Sequence, residues 1–212
     1  MKTKQVHFRS YNYEKIEKKQ IYLHHTAGGP SGEQVFQYWE SQANKVATCV
    51  AISNDGTIVQ GFGSECWAYH LGLGTKHFMS QGLPFLPLDR MSIGIEICNY
   101  GPLTQKGGKY YNYVGGEIKK EDVTTLDKPY KGYKLWQSYT DAQIESVKEL
   151  LIHWSTKYEI DLTYNEDIWE VSKRALKGGE GVFTHNSVRP DKADVYPHPK
   201  LIEMLKSLTK EK

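Results

Sequence analysis

The sequence has few cysteines, no long apolar run and no surplus of charge of either sign, and each shortage removes a class of protein. Cys49, Cys66 and Cys98 are odd in number and lack C-x-x-C spacing, so neither a disulfide framework nor a thiolate metal site is expected and the thiols read as reduced. No stretch approaches the roughly 20 apolar residues of a membrane-spanning helix. The amino-terminal Met1-Lys2-Thr3-Lys4-Gln5-Val6-His7-Phe8-Arg9-Ser10 carries positive charge with no apolar segment behind it, so no signal peptide is expected and the chain reads as cytoplasmic when synthesised. Lys and Arg number 27 against 25 Asp and Glu, a formal net charge of +2. That balance argues against nucleic acid or membrane insertion as the main business of the chain. There is no H-E-x-x-H, the mark of a helical zinc protease, and no internal repeat or low-complexity linker.

What is present suits one globular unit. At 212 residues, 39% hydrophobic and 25% charged, the chain is long enough for one good core, and a single domain over 1–212 is the expectation. Short β-branched and aromatic runs predict strands at 20–26, 47–53, 57–61, 68–71 and 92–99, with Asn54-Asp55-Gly56 as a hairpin turn. The spacing of Val35, Phe36 and Trp39 suits a helix over 34–42, begun near Ser31. Thr140-Asp141-Ala142-Gln143 is a capping box, followed by Ile144, Val147, Leu150, Leu151 and Trp154 at helical spacing. Further helices are expected at 166–176 and 200–208. Residues 100–139 differ, holding Tyr110, Tyr111, Tyr113, Tyr130, Tyr133 and Trp136 among Gly and Lys with a turn at Gly107-Gly108. The predicted fold class is therefore α/β: a central mixed β-sheet flanked by α-helices, with a Tyr-rich hairpin-like insertion at about 100–139 whose aromatics mostly pack it onto the sheet.

The residues able to do chemistry lie far apart in sequence. His24 and His25 sit in Ile21-Tyr22-Leu23-His24-His25-Thr26, while His185, Lys192 and Asp194 lie in a proline-marked carboxy-terminal segment. Neighbouring side chains on a strand face opposite ways, so His24 and His25 cannot both reach one metal, and parity alone does not choose between them. In extended chain Lys192 and Asp194, two apart, point the same way, which would set an ammonium group beside a metal-binding carboxylate. In Ser92-Ile93-Gly94-Ile95-Glu96-Ile97 the isoleucines share one face and Ser92, Gly94 and Glu96 the other. An unpaired carboxylate is costly to bury, so Glu96 should meet water, a cation or a cleft. Three N or O ligands with room left for water make a hydrolytic zinc site.

Four segments in order carry a resemblance: His24-His25-Thr26-Ala27; Asn54-Asp55-Gly56-Thr57-Ile58; Trp67-Ala68-Tyr69-His70-Leu71-Gly72 with Ser92 to Glu96; and His185 with Pro190 and Lys192-Ala193-Asp194. Together they resemble the type 2 N-acetylmuramoyl-L-alanine amidases, a zinc-dependent family that includes phage lysozyme-like amidases, a cytosolic muropeptide-recycling amidase and peptidoglycan recognition proteins. The resemblance implies His24, His185 and Asp194 as ligands of Zn2+, Glu96 as catalytic carboxylate and Lys192 as its assistant, with His25 structural. It also implies Trp67, His70, Thr48 and Asn99 on the substrate side. Two departures stand out: Tyr69 is interposed before His70, and Thr48-Cys49-Val50 stands where many members have an aromatic or histidine. His198 is a spare candidate for the place of Asp194.

The implied activity is hydrolysis of the amide bond between N-acetylmuramic acid and L-alanine in peptidoglycan or muropeptides. A monomeric phage endolysin is the expected setting, reaching the wall after release; the cytosolic recycling role is the alternative. A binding module that holds peptidoglycan without cutting it is the rival from another class, and its usual sign is a missing zinc ligand. A thiol hydrolase is disfavoured because Cys49 and Cys98 lie in apolar strands.

Overall fold

Six strands build the sheet on which the rest is laid, and the computed structural model describes residues 1–42 and 44–209 of the chain. The strands β1 (Thr3–Gln5), β2 (Gln20–His25), β3 (Val50–Ile52), β4 (Ile58–Gln60), β5 (Ser92–Ile97) and β11 (Gly181–Thr184) run in the order β1-β4-β3-β5-β2-β11. β2, β5, β11 and β3 are mutually parallel neighbours, and only the β3–β4 hairpin is antiparallel. β2 is buried at all six positions, as expected of a central parallel strand covered on both faces.

Helices cover the two faces. In α1 (Gly32–Ser41) the Ser31 side chain accepts from the Gln34 N–H at the first turn. Between it and β5 come two short helices, α2 (Thr75–Met79) and α3 (Leu88–Met91). The long α4 (Asp141–Tyr158) begins with the anticipated capping box: Thr140 Oγ1 accepts from the Gln143 N–H, and Gln143 Oε1 accepts from the Thr140 N–H, both at 3.0 Å. The same first turns clasp the sheet, because Gln143 Nε2 donates to Cys98 O at 2.8 Å and Ser146 Oγ to Gly56 O at 2.6 Å. Gly56 is at φ +80°, and a Cβ there would stand 2.8 Å from Ala142 O, so the hairpin turn and the helix meet backbone to backbone.

Two expectations changed in the folded chain, and one strand appeared that had not been expected. The segment 68–71 forms one isolated bridge, Tyr69 with Val46, rather than a strand, because the N–H groups of His70 and Leu71 go to the Asp89 carboxylate instead of a ladder. The expected helix at 166–176 breaks into a 3₁₀ turn (Glu166–Trp169) and α5 (Lys173–Leu176), since Ser172 Oγ accepts from the Ala175 N–H and starts a new helix. β1 is an exposed edge strand with no apolar signal to announce it. The last helix, α6 (Pro199–Ser207), falls where expected, with proline at its first position.

The insertion folds as two antiparallel pieces: β6 (Thr104–Lys106), β7 (Lys109–Tyr111) and β8 (Glu117–Ile118) form one, and β9 (Val123–Tyr130) with β10 (Tyr133–Gln137) the other. Trp136 is fully buried and stacks on Tyr196 with ring centroids 4.6 Å apart. Truncating it would cost about 3–5 kcal/mol. Packing thus accounts for Trp136 and for the half-buried Tyr130, which donates to Trp169 O, but not for Tyr113, which is 66% exposed.

Candidate metal centre and cleft

Register on the sheet decides which side chains meet. β2 and β5 pair as Gln20 with Ser92, Tyr22 with Gly94 and His24 with Glu96, and in-register neighbours share a face. His24 and Glu96 therefore stand side by side at the carboxyl ends of parallel strands, where open α/β sheets bind ligands. β11 pairs with β2 up to Thr184 opposite Leu23, so the 3₁₀ turn His185–Ser187 that follows delivers His185 next to His24. Asp194 arrives on the extended segment beyond, held through Asn186 Nδ2, which donates to Asp194 O at 3.3 Å and Val195 O at 3.4 Å.

Three ligand atoms converge there. His24 Nδ1 lies 3.1 Å from His185 Nδ1 and 3.2 Å from Asp194 Oδ2, and His185 Nδ1 lies 2.9 Å from the same oxygen. His24 is 3% and His185 6% exposed. His185 Nε2 donates to Leu71 O at 3.1 Å. A carbonyl can only accept, so the proton of the neutral ring sits on Nε2 and the Nδ1 lone pair faces Asp194. Burial, aided by the charge of His185, pushes His24 down to about 4. Desolvation alone would raise the Asp194 carboxyl, but hydrogen bonding and charge from His185 and His24 hold it well below the usual range. Two imidazoles and an ionised carboxylate facing one another could hold a cation, and two N with one O suit zinc.

The triad opens into a cleft of about 700 Å³ that Glu96 and Lys192 also line. Burial first, then the charge of Asp194, lifts the Glu96 carboxyl well above its ordinary range, with Lys192 opposing. Of the substrate-side expectations, His70 borders the cleft, but its ring backs His24, with Nδ1 3.0 Å from His24 Nε2. Trp67, Thr48 and Asn99 are not brought to it. The Trp67 indole donates to Glu14 and lies under Arg90. Thr48 is 1% exposed and donates to Val50 O, and Asn99, 2% exposed, ties the ends of the insertion through Gln137 O and Ser138 O. His25 points to the opposite face, where Nδ1 meets Tyr139 Oη at 3.0 Å. His198 packs against Tyr139 and Tyr196, apart from the triad. Burial pushes the Cys49 and Cys98 thiols up to about 12, far from nucleophilic use.

The sequence did not single out the cleft wall opposite the triad. Val35, Tyr38 and Trp39 line it from α1, Val46 from the loop after it, and Tyr113 from the insertion. The Tyr113 hydroxyl donates to Ala27 O at 2.7 Å, where Ala27 is held at φ +47° directly after the His24-His25-Thr26 strand end. The i, i+3, i+4 spacing of Val35, Tyr38 and Trp39 was the available signal, and for Tyr113 it was its place in the Tyr-rich insertion.

The sequence profile described as N-acetylmuramoyl-L-alanine amidase matches residues 13–199. No curated protein matches the chain. Among solved structures, that of PlyL superposes with a TM-score of 0.54 at 17% identity, covering 99% of this chain and 98% of that one. A selenomethionine AmpD derivative gives 0.54 at 17%, with 99% and 95% covered. The N-acetylmuramoyl-L-alanine amidase LysC from Clostridium intestinale URNW gives 0.50 at 15%, with 98% and 96% covered. At these identities the superpositions establish a shared mixed α/β fold.

Proposed function

The chain belongs to the N-acetylmuramoyl-L-alanine amidase family, and on that premise we propose that it is a zinc amidase cutting the bond between the lactyl group of N-acetylmuramic acid and L-alanine of the peptidoglycan stem. The observation that carries the proposal is the convergence of His24, His185 and Asp194, with candidate ligand atoms all within 4.8 Å of one another, in a cleft that the half-buried Glu96 also lines. Zinc held by this set would supply Lewis acidity toward a water and toward the scissile carbonyl.

The chain's own groups do the remaining work. Burial first, then the charge of Asp194, lifts the Glu96 carboxyl above its ordinary range, which suits it to hold a proton it has taken. It takes one from the attacking water and gives it to the departing amine. The Lys192 ammonium faces the oxyanion that develops on the carbonyl oxygen, a stabilisation typically worth roughly 3–4 kcal/mol. His24 and His185 stay neutral as ligands, Asn186 keeps Asp194 in place, and the exposed Tyr38 and Tyr113 offer faces to sugar or peptide across the cleft. All of these groups come from one chain, so a monomer suffices. The long wall contributed by α1 and the insertion favours polymeric wall over small fragments, and hence the endolysin setting over recycling.

Digestion of purified peptidoglycan with and without a strong chelator tests this, scoring new L-alanine amino termini against new reducing sugar ends. Chelator-sensitive amino termini without reducing ends, restored by zinc, are expected. Protein that pellets with the wall and releases nothing would make the chain a binding module.

A further inference from the structure

Two hydrogen-bond chains lead outward from the triad, one reaching the backbone of Leu71 and the other the side chain of His70 beside it. From His185, Nε2 donates to Leu71 O at 3.1 Å. From His24, Nε2 meets Nδ1 of His70, the preceding residue, at 3.0 Å. The path continues, because His70 Nε2 lies 2.9 Å from Ser92 Oγ and Ser92 Oγ donates to Leu88 O at 2.7 Å. Asp89 fastens this pair of residues: one oxygen, Oδ1, accepts the His70 N–H at 2.8 Å and the Leu71 N–H at 2.9 Å.

The protons on these chains can be placed from donor and acceptor capacity alone. Leu88 O only accepts, so the single Ser92 hydroxyl proton points to it and Ser92 Oγ accepts from His70 Nε2–H. A neutral His70 then has a bare Nδ1, which accepts from His24 Nε2–H, and His24 in turn has a bare Nδ1 facing the triad. The sheet supplies the room for this stack. Ser92, Gly94 and Glu96 share one face of β5, and a Cβ at Gly94 would stand 2.4 Å from Thr48 Cγ2 and 3.1 Å from His70 Nδ1. Arg189 adds a tie from the far side, Nη1 donating to Gly72 O at 2.7 Å.

We infer that His70 and Leu71, pinned by Asp89, form a strap that orients both imidazole ligands and keeps a proton on the outer nitrogen of each, so that the two bare Nδ1 atoms face the metal together. His70, Ser92 and Asp89 are thus positioning residues for the triad. This rests on the zinc reading of the triad and adds to it the reason both histidines bind through Nδ1. It also explains why 68–71 leaves the sheet: a strand there would spend on a ladder the N–H groups that Asp89 collects. Losing an outer partner of a metal-bound histidine typically weakens metal binding about 10- to 100-fold.

The experiment measures zinc affinity of the full chain by competition with a chromophoric chelator, together with ¹⁵N NMR of the histidine rings in the metal-free protein. His70→Ala should bind zinc roughly 10- to 100-fold more weakly, whereas His70→Asn, whose Oδ1 can accept in place of Nδ1, should recover most of the loss. Ser92→Ala should show a smaller loss, since it frees the His70 ring without removing it. The NMR needs no substitution and should place the proton of His24, His70 and His185 on Nε2. Unchanged affinity in His70→Ala, or a proton on Nδ1 of His24, overturns the strap. If His24→Ala loses zinc while His70→Ala keeps it, the metal centre stands and the strap alone falls; an unmodified chain that binds no zinc overturns both.

Discussion

His24 and His25 are adjacent in β2, similarly hidden from solvent at 3% and 7% exposed, and each is pushed down to about 4 chiefly by burial. Their surroundings have little in common. His24 faces donors and acceptors drawn from two distant segments, that of His70 and that of His185 and Asp194. His25 meets one tyrosine hydroxyl, with the Trp136 ring 6.2 Å away. Burial and a depressed pKa therefore do not distinguish a candidate ligand from a structural histidine. What distinguishes them is whether the free ring nitrogen faces a second ligand or a neutral donor that satisfies it.

Three experiments test this contrast. The largest effect is expected from the pair His24→Ala and His25→Ala: the first should lose zinc and with it essentially all amidase activity, while the second keeps zinc, as read by metal content and turnover. Zinc lost from the second and kept by the first would invert the comparison. Next comes Glu96→Gln, which shares the His24 face; it should keep zinc and lose roughly 10²- to 10⁴-fold in turnover. Full activity would remove Glu96 from the reaction. The smallest effect concerns His25 alone. An unfolded histidine titrates near 6.5 and His25 near 4 in the fold, so between these values the unfolded chain holds more protons and stability falls as pH drops, by about 3 kcal/mol in all. Denaturant melts of the metal-free protein from pH 7 to 4 should show a shallower acid slope in His25→Gln. An unaltered slope would mean that His25 is not held neutral by the fold.

Local signals in the sequence were reliable where one residue type answers one local need. The capping box at Thr140 and Gln143 and the Asn54-Asp55-Gly56 turn reappear as read, and so do the strands around His24 and Glu96. The choice between His24 and His25 was not legible, because β2 is buried on both faces and alternation carries no information there. Asp89 gave no sign either: its partners at His70 and Leu71 lie 19 and 18 residues away and are main-chain N–H groups, which every residue but proline has. Trp67 and Asn99 sit in motifs whose order is informative, yet motif order says nothing about the face a side chain takes. His70 borders the cleft as expected, and its ring also meets His24, a contact with no sign in the sequence.

The insertion has two halves with different freedoms. β9 and β10 are stitched into the body through Trp136, Tyr130 and the Asn99 amide, which holds Gln137 and Ser138 beside the start of the insertion. The β6–β8 piece turns at Gly107 and Gly108, where a side chain would meet nothing within 4 Å. Chain length can therefore vary at that tip without disturbing the sheet that carries the triad. The tip offers an attachment point for a cargo or targeting domain, with the catalytic scaffold left as it stands.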